Sequence, residues 1–216
     1  MKLCFSPDSK DYAYKCTGVI ISKLHVLTAA HCIPRKIKEM NDIVIVSGTS
    51  KIRYEFTPYD VEKSDVGIRP GKMYRYPHKI IVHPRYDSKT SVNDIAIIIV
   101  DEAFDLEVET VQLSPKLESI QQLPREGEMC SAAGWGQTNP LLTFTDIHYA
   151  DGRFSERLQT TTVPLWSLTE CFQTYDHVRR HQDVIKVLNQ YHINERHICA
   201  GSDGKDTCRV RFLEKL

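Results

Sequence analysis

Two short stretches hold residues that could move a proton. The first is "VLTAAHC", in which His31 follows Thr28, Ala29 and Ala30 directly after an apolar run. Small side chains let the backbone turn tightly and leave the imidazole uncrowded. An imidazole ionises near neutrality, so it suits a general base. A lone His is also a common structural group, held by hydrogen bonds inside a fold. The second stretch is "NDIAIIIV", where Asp94 stands at the mouth of an apolar strand. A carboxylate there needs partners, because an unpaired buried charge is expensive. Two kinds of partner fit. Asn-Asp is a turn dipeptide whose carboxylate can accept backbone N–H bonds. Alternatively, Asp94 can accept the Nδ1 proton of a His, fixing its tautomer and stabilising the imidazolium.

The elements that must carry these residues read as short strands. "YKCTGVIIS" (14–22), "HVLT" (25–28), "DIVIVSG" (42–48), "KIRYEF" (51–56), "KIIVHP" (79–84) and "DIAIIIV" (94–100) are rich in Val, Ile and Tyr. Pro, Gly, Asn, Asp and Ser bound them. "DIAIIIV" is apolar on both faces, which predicts a central, fully covered strand. After "VQLSPKLESIQQLPREGE" (111–128), which reads as a linker, the strand pattern resumes in "CSAAGWG" (130–136) and "RLQTTTVPLW" (157–166). One helix is predicted over 167–190, with Ser167 and Glu170 as a capping box. Many short strands with a single helix predict an all-β barrel or sandwich.

Composition narrows the function classes. The 216 residues suit one large domain or two compact halves. Lys plus Arg and Asp plus Glu are both 28, so no basic excess points to nucleic acid. The runs "IPRKIKE" and "HVRRH" read as solvated faces. No window approaches the roughly 18 apolar residues of a membrane span. "MKLCFSPDSKD" is not a secretory leader, since its apolar run ends at Phe5. The seven Cys, at 4, 16, 32, 130, 171, 199 and 208, are widely and irregularly spaced, which fits disulfides in an oxidising compartment. They form no CxxC pairs, which argues against a zinc ribbon. His177 and His181 are four apart on the predicted helix, but two ligands without a third do not make a metal site.

With "AAGWGQT", "RLQTTTVPLWSLTEC" and "HICAGSDGKDTC" added to "LTAAHC", "KIIVHPRYD" and "NDIA", in that order, the chain resembles the chymotrypsin/trypsin family of serine endopeptidases. The likeness runs over residues 10–208. It implies an all-β fold of two antiparallel β-barrels, the first over 1–113 and the second over 129–208, joined by a linker at 114–128. It implies His31 as general base, Asp94 as its orienting carboxylate, and the disulfides Cys16–Cys32 and Cys171–Cys199. Asp206, two residues before Cys208, matches the acidic base of the primary specificity pocket, which selects Lys or Arg by direct charge pairing. A secreted, monomeric protein follows, with protein or peptide substrates if a complete form exists, and with no cofactor, no metal and no nucleic-acid partner.

The sequence then departs from that pattern. The family continues after this Cys with x-G-D-S-G-G-P, whose Ser is the nucleophile. Here Arg209, Val210, Arg211 and Phe212 follow Cys208, with Phe212 at the nucleophile position. Ser202, within "GSDG", lies before the specificity Asp and reads as a loop residue. No activation cleavage motif precedes Cys16, and Thr17 replaces a Gly usual in the family. The stretches near 57–77 and between Cys171 and Cys199 are enlarged. Residues 209–216 read as a non-family tail, so the second barrel is expected to be incomplete. Cys4, Cys130 and Cys208 are left without an assigned partner. The expectation is a truncated endopeptidase domain that is inactive as written, or alternatively a secreted pseudoprotease that binds or regulates partners.

Overall fold

The computed structural model describes residues 2–5, 12–34, 40–51, 55–56, 73–104, 125–136, 155–180 and 198–202. The chain divides into two compact units. One comprises Met1–Ser88 with Val92–Pro115, the other Lys89–Ser91 with Lys116–Leu216. The architecture is mostly antiparallel strand with one described helix, as the sequence predicts.

In the first unit, β1 (Lys2–Phe5), β2 (Tyr12–Thr17), β5 (Ile43–Ser47), β6 (Glu55–Phe56) and β7 (Met73–Arg75) form a sheet in the order β6-β2-β1-β5-β7. A second sheet runs β3-β4-β9-β8, from β3 (Val19–Ile20), β4 (His25–Thr28), β8 (Pro77–Val82) and β9 (Ala96–Val100). The predicted strand over 14–22 is therefore two strands in two sheets, parted at buried Gly18. The alternation of covered Cys16, Gly18 and Ile20 with exposed Thr17 and Val19 continues across the junction, so periodicity could not mark it. Of the predicted strand over 51–56 only Glu55–Phe56 is a described strand, and residues 52–54 lie outside the described set.

Both sheets feed one core. Ile20, Val26, Ile43, Ile45, Ile98, Val100 and Phe104 pack together, with Cys16, Ile33 and Ile80 against them. β5 is buried at all five positions, which explains its nearly continuous run of Ile and Val. β9 is central in its sheet, as predicted, but only one of its faces is covered. Ala96, Ile98 and Val100 are buried, whereas Ile97 and Ile99 are half-buried. On that outer face Val19, Leu27, Ile97 and Ile81 stand in register as a cross-strand apolar row.

In the second unit, β10 (Met129–Gly134) pairs with β11 (Gln159–Pro164). Helix α1 follows at Leu168–Arg180; the rest of the predicted helix, from residue 181, lies outside the described residues. The capping box forms in both directions. Glu170 N–H donates to Ser167 Oγ at 3.1 Å, and Ser167 N–H donates to Glu170 Oε2 at 3.3 Å. Residues 198–202 dock beside the end of β11. Trp166 donates its N–H to Cys199 O at 2.8 Å and its Nε1–H to Gly201 O at 2.9 Å. Among the described residues, none of the three sheets closes on itself.

Candidate active site

The site is assembled by strand register. β4 and β9 pair antiparallel with Thr28 opposite Ala96. The residues just past the end of β4 therefore face those just before the start of β9. His31 and Asp94 occupy those positions, although 63 residues separate them in sequence.

Local chemistry then aims the imidazole. Thr28 Oγ1 donates to Thr17 O at 3.1 Å, tying the end of β4 to the end of β2. Ala29 is extended, and Ala30–Cys32 form a single 3-10 turn closed by Cys32 N–H to Ala29 O at 3.1 Å. Ala30 and Cys32 are buried on either side of His31. Their small side chains take little room, and the His31 ring lies at the surface of the turn, 25% exposed. The disulfide from Cys32 to Cys16 in β2, with Cα atoms 5.9 Å apart, pins the turn to the sheet.

Asp94 completes the pair with both oxygens. Oδ1 accepts the backbone N–H of His31 at 2.7 Å, and Oδ2 faces His31 Nδ1 at 2.6 Å. An ionised carboxylate only accepts, so Nδ1 carries the proton and Nε2 is left as the accepting nitrogen. The Asp94 side chain is 16% exposed. Charge-assisted bonds in such a partly dry setting are shorter and stronger than neutral ones. Both carboxylate oxygens of Asp94 thus meet donors of one residue, the distant His31, which is the His partner that the sequence left open; the backbone N–H it accepts is that of His31 and not one of the Asn-Asp turn.

His31 Nε2 lies 3.3 Å from Cys32 Sγ and 4.0 Å from Cys16 Sγ. The donor atoms of Cys16, His31 and Cys32 fall within 4.8 Å of one another, close enough to suggest a metal centre. The chemistry does not fit. Zinc and similar ions take thiolate sulfur, and both sulfurs are committed to the disulfide.

The second disulfide, Cys171–Cys199, joins α1 to the docked segment with Cα atoms 6.0 Å apart. Cys130 is a free thiol in β10, half-buried, with its Sγ–H directed to Val163 O at 3.4 Å. Ser202 is exposed at the end of the docked segment. Asp206, Cys208 and Arg209–Phe212 lie outside the described residues, as does His181. The bond from Thr28 Oγ1 to Thr17 O, and that from Asn93 Nδ2 to Arg85 O at 2.8 Å beside Asp94, were not foreseen. The only signal for Asn93 was its place in the turn dipeptide Asn-Asp.

The family model described as trypsin matches residues 6–209. Among curated proteins, the chain is 27% identical over 200 residues to trypsin eta of Drosophila melanogaster, covering 92% of this chain and 60% of that protein. It is 29% identical over 199 residues to the venom serine protease Bi-VSP of Bombus ignitus, covering 91% of this chain and 46% of that protein. It is 32% identical over 133 residues to chymase of Mus musculus, covering 61% of this chain and 44% of that protein. The chain thus spans about half the length of these relatives.

Proposed function

The chain belongs to the trypsin family of serine proteases, and from that premise we propose that it is a serine endopeptidase domain directed at Lys and Arg side chains. What carries the reading is the pair of bonds from His31 to Asp94, at 2.7 and 2.6 Å. That arrangement leaves Nε2 to take a proton from an attacking hydroxyl and return it to a leaving amine, while Asp94 stabilises the imidazolium. Asp206 is the group that would pair with a basic substrate side chain. Two disulfides favour an oxidising, extracellular setting. On this reading the domain is a monomer whose complete form would take protein or peptide substrates, without nucleic acid.

As its residues stand, the chain does not complete the reaction. By the family pattern counted from Cys208, Phe212 falls where the nucleophile Ser would stand, with Val210 and Arg211 before it. Loss of the Ser from such a triad costs roughly a factor of 10⁶ in kcat. The experiment is incubation with a fluorophosphonate probe alongside a Lys- or Arg-containing amide substrate. Neither labelling nor hydrolysis is expected. Stoichiometric labelling of a Ser in this chain would refute the inactivity.

A second reading treats the domain as a pseudoprotease that binds rather than cleaves. It is favoured by one observation: the His31–Asp94 geometry is complete although the residues after Cys208 depart from the family. Retained affinity for a basic peptide without turnover supports this reading; absence of any such affinity rules it out.

A further inference from the structure

A carboxylate that meets two donors of one residue must be fixed in both position and plane. The two bonds from His31 to Asp94, at 2.7 and 2.6 Å, set that demand. The backbone beneath Asp94 meets it through its neighbour. Asn93 has φ 56°, the left-handed region that Asn tolerates better than most non-Gly residues. Its Nδ2 donates to Arg85 O at 2.8 Å, across a loop of eight positions. Its carbonyl accepts the Ile95 N–H at 2.8 Å, closing a three-residue turn with Asp94 at its centre. Beyond it, His83 N–H donates to Ile95 O at 3.1 Å and Asp87 N–H to Val92 O at 3.0 Å.

We propose that Asn93 is a positioning residue for the His31–Asp94 pair. Its left-handed backbone turns the chain so that Asp94 points at His31, and its side-chain bond to Arg85 keeps the turn from relaxing. The inference rests on the reading of His31 and Asp94 as a proton-handling pair. It acts on the tautomer of His31, because only a correctly placed carboxylate holds the proton on Nδ1.

The test is ¹⁵N NMR of the His31 ring in the full chain, with thermal melting followed in parallel. Asn93→Gly keeps the left-handed backbone accessible and removes the amide; Asn93→Ala removes the amide and disfavours the backbone. Both are expected to shift His31 toward the Nε2–H tautomer and to speed exchange of the Nδ1 proton by about tenfold, as loss of roughly one hydrogen bond of restraint implies. Asn93→Ala has the larger effect, and Asn93→Gly decides if Asn93→Ala does not fold. A changed melting midpoint with unchanged ring signals in both variants overturns the proposal. Asp94→Asn separates the two levels. If it leaves the tautomer unchanged, the pair reading itself fails. If it shifts the tautomer and Asn93→Gly does not, only the role of Asn93 fails.

Discussion

Asp94 holds His31 at two points, through the backbone N–H at 2.7 Å and through ring Nδ1 at 2.6 Å. One bond places the residue and the other sets the ring. A carboxylate bound to Nδ1 alone would let the His31 turn shift beneath it. The backbone bond removes that freedom, so the direction of Nε2 is determined by the fold.

Replacement of Asp94 by Ala should therefore destabilise the first unit as well as disturb the ring. Two charge-assisted bonds are lost and the His31 N–H is left to find another acceptor. We expect a loss of about 2–3 kcal/mol, read from the denaturant midpoint. Asp94→Asn should lose less stability, because its carbonyl oxygen can still accept the backbone bond. A pair of variants with wild-type midpoints would show that the contact is stabilising nothing.

The Cys16–Cys32 disulfide supports the same turn from the other side. Closing a loop of this length is worth about 3 kcal/mol in unfolded-state entropy. Cys16→Ser with Cys32→Ser should lower stability by about that amount. The His31 ring signals should broaden in the double variant, because Cys32 is part of the turn that carries His31. Unchanged stability would mean that the packing of Cys16 and Cys32 alone holds the turn.

The candidate residues of the first unit, His31 and Asp94, stand out in the sequence because their chemistry is local. "TAAHC" carries a turn and an imidazole, and "NDIA" carries a turn and a carboxylate at a strand end. What joins them is the pairing of Thr28 with Ala96, a register between distant segments that no local pattern encodes. The two possible uses of Asp94 could not be ranked for a similar reason: its partner, His31, lies 63 residues away and meets both oxygens. β1 was missed because four residues carry little periodicity, and its stability comes from pairing with β2 and β5. The half-exposed Ile97 and Ile99 were misplaced because apolar composition does not tell a covered face from an open one.

That distinction can be measured on β9. Ile98 is fully buried in the core cluster, while its neighbours Ile97 and Ile99 face the other way. Ile98→Ala should cost about 3–4 kcal/mol, combining lost transfer energy with a cavity. Ile97→Ala removes the same atoms from a half-open surface and should cost less than half as much. Equal losses at the two positions would mean that the outer face is covered in solution.

The capping box at the start of α1 offers an independent check on the second unit. Ser167 Oγ accepts the Glu170 N–H and also lies 3.2 Å from its carboxylate. Ser167→Ala should cost about 1 kcal/mol and reduce far-ultraviolet helical signal. Glu170→Ala should cost less, because it removes the exposed bonds that its carboxylate accepts from the Ser167 N–H and Oγ–H but leaves Ser167 Oγ free to cap the N–H of residue 170. A larger effect at Glu170 would indicate that its charge at the helix N-terminus outweighs the cap.

Recognition of a basic side chain can be tested apart from turnover, because a charge pair needs no nucleophile. A small aromatic amidine presents the planar cation of Arg without a scissile bond. If Asp206 forms the floor of a pocket, the amidine should bind, and Asp206→Asn should weaken it by at least about tenfold, since a charge-assisted pair is replaced by a neutral one. Asp203 lies nearby in sequence and serves as a control of equal charge. If only Asp206 pairs with the cation, Asp203→Asn should leave the affinity within about twofold, the size of an unpaired, screened charge. Binding that responds equally to both substitutions would mark a diffuse acidic surface and remove the argument for Lys and Arg selectivity. Binding lost only at Asp206 would support a pocket that still recognises basic side chains, and that result would favour the binding reading over a merely inactive protease.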